Sequence, residues 1–271
     1  MRGFSGQAVL ITGASSGIGA ALAREFARRG AHLVLAARRI DRLERLAREL
    51  QVGGRRAIAV ACDVTREGDV ERAVDAARSA LDRLDVVVAN AGFGVVGPVE
   101  RLTLDDYRRQ FETNVFGVLR TVKAALSDVK RARGRIVIMG SVAGHIATPG
   151  SSPYAMSKFA VRALAEALGH ELVRDGVSVT LVSPGFVESE IRRVDNHGAL
   201  REAAPEPIPA WLVMPAARAA RQIVDAVARR RREAVVTPLG RVSVFAQRHA
   251  PWAVSAAIRR LGVRSRGEPS R

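Results

Sequence analysis

Thr12-Gly13-Ala14-Ser15-Ser16-Gly17-Ile18-Gly19 follows the apolar run Ala8–Thr12 and opens the amphipathic stretch Ala20–Arg29. A strand, a glycine-rich turn and a helix in that order make a ready anion site, because the first N–H groups of the helix have no partner within it. Gly13 permits the tight turn and Gly17 lets the backbone approach a pyrophosphate. Gly19 allows the helix to sit close on the strand, and Ser15, Ser16 and Ile18 complete the loop. The bland alternative is a plain tight turn.

Outward from this element, short apolar runs alternate with longer amphipathic stretches. The strand-like runs are Ala8–Thr12, His32–Ala36, Ala57–Ala61, Val86–Asn90, Arg135–Met139, Val177–Val182 and Ala234–Thr237. They are rich in Val and Ile, and most lack polar alternation, as in strands buried on both faces of a parallel sheet. Helical periodicity lies between them: Leu43, Leu46, Ala47 and Leu50 share a face, as do Tyr107, Phe111, Val115, Val118, Leu119 and Val122 within Thr103–Ser127. Pro153–Asp175 repeats the pattern with Val161, Leu164, Leu168 and Leu172, and Gly30 and Gly176 mark helix stops. Strand–helix alternation of this kind predicts a doubly wound α/β sheet with right-handed crossovers. Four prolines, Pro205, Pro207, Pro209 and Pro215, punctuate residues 195–215, which read as an inserted loop over the substrate site. The expected organisation is one catalytic domain, residues 1–240, followed by a basic tail, 241–271.

Composition sets the outer bounds. The chain has 271 residues, 48% of them apolar, enough to bury a large core, so disorder and a disulfide-stapled mini-fold are excluded. The lone Cys62 rules out an internal disulfide and zinc sites built on several cysteines. No run approaches the roughly 18 apolar residues of a membrane span. The apolar stretch near the N-terminus is shorter than a secretory signal requires, so a reduced cytoplasmic setting is the expectation. The net charge of +16 suggests polyanion binding, but its distribution argues otherwise. Residues 229–271 carry 11 Arg and 2 Glu, and the remaining charge is interleaved with acidic residues. No nucleic-acid module is recognisable, so no nucleic-acid partner is expected. Residues 241–261 form two amphipathic halves split at Pro251, with Val242, Phe245 and Ala246 on one face and Trp252, Val254, Ile258 and Leu261 beyond. A helix packed on its own domain, a subunit contact or pocket lid, and an interfacial helix on an anionic membrane all fit that pattern.

The second strand runs into Ala36-Ala37-Arg38-Arg39, with no carboxylate. An acidic residue there would accept from ribose hydroxyls, whereas guanidinium groups bind a 2′-phosphate. NADP(H) is therefore the expected cofactor, with Arg38 as the main contact and Arg39 beside it, against the reading of two surface arginines. Tyr154-Ala-Met-Ser-Lys158 puts a phenol and an ammonium one helical turn apart on one face. A nearby cation favours the phenolate, which makes Tyr154 a candidate acid/base. Ser141 follows the strand Arg135–Met139, where its hydroxyl can bond both the substrate oxygen and the phenol. Asn114 is an unfavourable residue within a long helix.

Together these motifs, in this order and with G-x-x-x-G-x-G spacing, resemble the short-chain dehydrogenase/reductase family over roughly residues 5–190. The resemblance implies a Rossmann-like seven-stranded parallel sheet and the catalytic set Asn114, Ser141, Tyr154 and Lys158. It implies that Asn114 distorts its helix and holds a relay water. It assigns Asp63 to the adenine amino group and Val64 to a backbone contact, and Asn90-Ala91-Gly92 to the wall beside the adenosine ribose. A helix N-cap shared with Thr65 is the structural alternative for Asp63. Pro184-Gly185-Phe186-Val187-Glu188-Ser189 would bind the nicotinamide carboxamide, with Ser189 where the family has Thr. Gly140 stands where a second Ser often precedes the catalytic one, and slight loosening is expected there. Asn90–Glu100 is similar to the branch acting on steroids, retinoids and other lipophilic substrates, which suggests a pocket lined by Phe93, Val142, His145, Ile146 and Phe186. Small carbonyls or 3-oxo acids are the alternative substrates, and a non-catalytic dinucleotide-binding scaffold is the alternative class. A homodimer or homotetramer through the helices of Asn114 and Tyr154 is also implied. Neither the substrate nor the physiological direction is legible.

Overall fold

The structure is a computed structural model and describes residues 3–201 and 208–260. Seven strands form one parallel sheet: β1 (Ala8–Thr12), β2 (His32–Ala37), β3 (Ala57–Ala61), β4 (Val86–Ala89), β5 (Arg135–Met139), β6 (Ser178–Ser183) and β7 (Glu233–Val235). Their order across the sheet is β3-β2-β1-β4-β5-β6-β7. The chain therefore builds outward from β1 in one direction, then returns to start β4 on its other side. That reversal opens a crevice at the carboxyl ends of β1 and β4, where such sheets bind ligands.

Helices cover both faces because both faces are apolar. Val9 and Ile11 point to one side, where α1 (Gly17–Arg28), α2 (Ile40–Leu50) and α7 (Ala216–Ala228) pack. Leu10 and Val34 point to the other, under α3 (Asp69–Leu81), α5 (Gly117–Arg131) and α6 (Ser152–Glu171). The alternation of side chains along a strand produces this division.

The long helical stretch from Thr103 is interrupted. Thr103 caps α4 (Leu104–Phe111) in a capping box with Asp106, and a π-helical segment, Glu112–Phe116, then joins α4 to α5. The sixth strand begins and ends one residue later than its apolar run, at Ser178–Ser183. The seventh is Glu233–Val235, because Thr237 leaves the sheet to accept from the Gly240 N–H and cap α8 (Pro238–His249).

Within the proline-punctuated segment, Val194 bridges Leu200, Val187 bridges Met214, and Ala210–Leu212 forms a single 3₁₀ turn. Pro205 and Pro207 lie outside the described residues, as do Leu261 and residues 262–271. The tail divides at Pro251 into α8 and α9 (Pro251–Arg260). α8 meets β7, whereas α9 rests against α8 and buries no residue. Among the described residues, no helix is long and apolar enough to cross a membrane.

Asp85 ties three strands together at their amino ends. Its buried carboxylate accepts from the Ala8 N–H at 2.8 Å and from Arg83 at 2.6 and 2.7 Å. Its backbone bonds Ala8 and Arg135. Asp85→Ala leaves the buried Ala8 N–H unpaired while the half-exposed Arg83 returns to water, and a loss of about 1–3 kcal/mol is expected. Urea unfolding of the variant checks this; a loss below about 0.5 kcal/mol would show that the carboxylate does not hold the strands.

Candidate functional site

A cleft of about 570 Å³ runs along the carboxyl ends of the strands. Gly13, Ser15, Ser16, Gly17, Ile18 and Gly19 line it at one end, with Arg38 and Arg39 from the end of β2 and Asp63 and Val64 from the end of β3. Asn90, Ala91, Gly92 and Phe93 form its wall, and Pro184, Gly185, Val187 and Ser189 its opposite rim. Ser141, Tyr154 and Lys158 lie between these groups. Residues from six separate strand ends thus meet in one place.

The glycine turn is built for a close neighbour. A Cβ on Gly19 would stand 2.3 Å from the Gly13 carbonyl oxygen, and one on Gly13 would stand 2.8 Å from Ala91 Cα. Gly13 also has φ +67°, which glycine adopts without strain. Thr12 and Asn90 lock the crossing. Asn90 Nδ2 donates to the Thr12 and Gly13 carbonyls at 2.9 and 3.2 Å, and the Thr12 hydroxyl donates to the Val88 carbonyl while accepting from the Asn90 N–H. The result is a backbone cradle at the start of α1, shaped for the pyrophosphate of a dinucleotide.

Asn114 lies in the π segment, fully buried and off the cleft surface. Its Oδ1 accepts from the Phe93 N–H at 3.1 Å, and its amide donates to the Phe93 carbonyl at 2.9 Å and to the Ser157 hydroxyl at 3.2 Å. Both amide protons are committed, so a relay water implied at this residue has to be held by an oxygen. Gln110, which no sequence motif singles out, anchors the same segment. Its amide donates to the Phe93 carbonyl and its oxygen accepts from the Val95 N–H at 2.6 Å. Gly94, between these anchors, lies against the Tyr154 ring. A Gln one helical turn before Asn114 is the only trace of this role in the sequence.

Burial dominates the electrostatics here. It pushes the Tyr154 phenol above its usual value of 10, and a hydrogen bond from Ser141 and the charge of Arg192 oppose it. The expected lowering by Lys158 is not found. Its Nζ lies 5.7 Å from the phenol ring centroid and donates instead to the Met139 carbonyl at 2.8 Å. Burial also lowers the Lys158 ammonium to about 8.

Several expectations require correction. Val142 and His145 turn away from the cleft. Ser141 caps a 3₁₀ turn, Val142–Gly144, that carries the chain toward β6 and α8. Val142 is directed at Gly240, and His145 is buried with Nε2 at 3.0 Å from the Ser183 hydroxyl. Burial lowers His145 to about 4, so it is neutral. Phe186 is exposed, within the segment 184–189 that forms the rim. Gly140 brings no loosening: a Cβ there would meet Leu181 Cδ1 at 2.9 Å and the Val182 carbonyl at 3.0 Å, so the sheet closes on the glycine. Asp63 is no helix cap, since α3 begins at Asp69; its carboxylate accepts from the Thr65 N–H and hydroxyl in a turn. Glu190, Ile191, Arg192, Val194, His197 and Leu200 line the cleft as well. His197 and Leu200 belong to the inserted loop expected over the site, whereas no sequence signal reached Glu190, Ile191, Arg192 and Val194, because their segment folds back across the sheet.

A family profile described as short chain dehydrogenase matches residues 7–199. The 11-beta-hydroxysteroid dehydrogenase A of Sesamum indicum is 34% identical over 98% of this chain and 78% of its own length. Oxidoreductase UcpA of Salmonella typhimurium is 40% identical over 70% of this chain and 72% of its own. A short chain dehydrogenase/reductase from Burkholderia phymatum, solved with NAD, superposes with a TM-score of 0.82 at 29% identity, covering 94% of this chain and 97% of that one. An alcohol dehydrogenase from Thermococcus sibiricus, complexed with 5-hydroxy-NADP, gives 0.75 at 30% identity over 86% and 97%.

Lys158 is charged below about 8 in the free protein and neutral above it. An anionic dinucleotide is expected to bind more weakly as pH rises through that value, because the lysine buried in the cleft loses its charge. Calorimetric titration from about pH 6.5 to 9.5 checks this, with Lys158→Met expected to lose the step. An unchanged step in that variant would assign it to another group.

Proposed function

The chain belongs to the short-chain dehydrogenase/reductase family, and on that premise we propose that it is an NADP(H)-dependent oxidoreductase acting on a carbonyl or alcohol. The observation that carries this reading is the meeting of Ser141, Tyr154 and Lys158 beside a glycine-built phosphate cradle. When bound, the nicotinamide supplies or accepts the hydride. The Tyr154 hydroxyl gives its proton to the substrate oxygen in reduction and takes it back in oxidation. The raised phenol is protonated in the free protein, the form that donation requires. Ser141 donates a hydrogen bond to the same oxygen as charge develops on it. Lys158, with one proton held by Met139, has two others to offer ribose hydroxyls and the proton path from Tyr154. Asn114 and Gln110 hold the Phe93–Val95 segment against the Tyr154 ring.

Cofactor choice rests on Arg38 and Arg39, since β2 ends without a carboxylate. A lipophilic substrate is supported by Phe93, Ile191, Val194 and Leu200 in the lining and by the relatives described as steroid dehydrogenases. Arg192, which lines the cleft and donates to the Val187 carbonyl at 3.1 Å, favours a second reading, a small oxo acid whose carboxylate meets that arginine. The intact Tyr154 and Lys158 argue against a non-catalytic scaffold.

A panel of steroids, retinal, aliphatic aldehydes and 3-oxo acids, followed by NADPH absorbance, separates the substrate classes. Tyr154→Phe is expected to lower turnover by about 10²–10⁴-fold while dinucleotide affinity stays within about twofold. Undiminished turnover would refute the proton-transfer role. NADPH is expected to outperform NADH, and the reverse order would overturn the cofactor assignment.

The same reading includes self-association. Phe116 on the π segment and Met156 and Phe159 on α6 stand 48%, 50% and 42% exposed. A second copy covering them removes that apolar surface from water. Light scattering is expected to show a dimer or tetramer that Phe159→Asp dissociates; a monomeric wild type would refute the interface.

A further inference from the structure

Glu190 brings a carboxylate to a place where the local sequence has none. It follows Ser189 on the loop over the cleft, and its side chain is 20% exposed. Oε2 stands 2.8 Å from Arg39 Nη2, and Oε1 stands 2.7 Å from Arg42 Nη1. The Ser16 hydroxyl bonds it as well. Arg39 in turn donates to the Ser15 and Ser16 hydroxyls at 3.1 and 2.8 Å. One closed ring of polar groups therefore joins the glycine turn, the end of β2, the start of α2 and the loop.

This ring lies at the end of β2, where an adenosine ribose and any 2′-phosphate are recognised in this architecture. The carboxylate is ionised throughout the neutral range, since the bonds from Arg42, Arg39 and Ser16 outweigh burial and lower it to about 2. Both ends of its loop are tethered. Glu188 N–H donates to the Met214 carbonyl, and Asn196 pairs with the Val96 backbone through bonds of 3.1 and 3.0 Å. The negative charge is thus delivered to a fixed spot.

We propose that Glu190 is a specificity-determining residue that competes, as an internal anion, with the cofactor 2′-phosphate for Arg39. A dianion arriving there must take the guanidinium from Glu190 or stand beside a like charge, and either costs binding free energy. A dinucleotide lacking that phosphate needs neither. The residue therefore tempers the preference that Arg38 and Arg39 would otherwise impose. The inference rests on the dinucleotide reading of the cleft, and it holds whichever cofactor the wild type prefers.

Calorimetry of wild type, E190Q and E190A with NADP⁺, NAD⁺, 2′,5′-ADP and 5′-AMP tests it. In both variants NADP⁺ and 2′,5′-ADP, the two ligands with a 2′-phosphate, are expected to tighten about tenfold, the effect of removing one like charge from a partly solvated site. NAD⁺ and 5′-AMP are expected to change by less than about twofold. Equal changes for ligands with and without the 2′-phosphate, or none at all, would overturn the role of Glu190. A wild type that binds NAD⁺ better than NADP⁺ would refute the cofactor assignment alone, and a variant shift toward NADP⁺ would still support Glu190.

Discussion

The close crossing of the β1 turn, the start of α1 and the end of β4 constrains everything around the cleft. At Gly19 and Gly13 there is no room for a Cβ, and the side chains of Thr12 and Asn90 hold backbone groups of both strands in register. Because the connections from β1 and β4 diverge at that point, the same crossing that closes the core leaves an opening above it. The free N–H groups of α1 then face that opening rather than the core. A larger residue at either glycine would push α1 off the sheet and move the anion cradle with it.

A second constraint lies in the helix pair that carries Asn114 and Tyr154. The π segment at Glu112–Phe116 inserts one wide turn into a helix that apolar periodicity alone would make continuous. It places Asn114 so that three bonds reach Phe93 and Ser157, while Gln110 holds the same strand extension from one turn earlier. Tyr154 packs against that extension. Its orientation therefore depends on residues buried behind the cleft surface. Burial costs the phenolate and the ammonium alike, which raises Tyr154 and lowers Lys158. The free protein thus holds a protonated acid beside a lysine already weakened as a cation.

Many of the arginines are paired locally, although the net charge is unchanged by that. Arg28–Glu25, Arg72–Asp69, Arg78–Asp75, Arg108–Asp105 and Arg131–Asp128 are pairs one turn apart on helices. Pairs with an exposed guanidinium add little stability and cancel charge only locally, so the net charge of +16 stays. What remains specific is concentrated at the cleft, where arginines meet a loop carboxylate, and on α8 and α9, which carry arginines and no acidic residue.

By itself the sequence determined the sheet, the glycine turn at its centre and the placing of Tyr154 and Lys158 on one helix. Apolar runs buried on two faces, a glycine turn and the Tyr154–Lys158 spacing are local patterns, and local geometry follows from them through strand and helix periodicity. The tertiary structure alone decided three things. It turned Val142 and His145 away from the cleft, because a 3₁₀ turn after Ser141 redirects the chain in a way periodicity does not encode. It brought Gln110 to the Tyr154 platform through a helix packing that no spacing announces. And it set Glu190 against Arg39, two residues whose juxtaposition depends on a loop folding back across the sheet, where electrostatic attraction and chain tethering act between segments that the sequence keeps far apart.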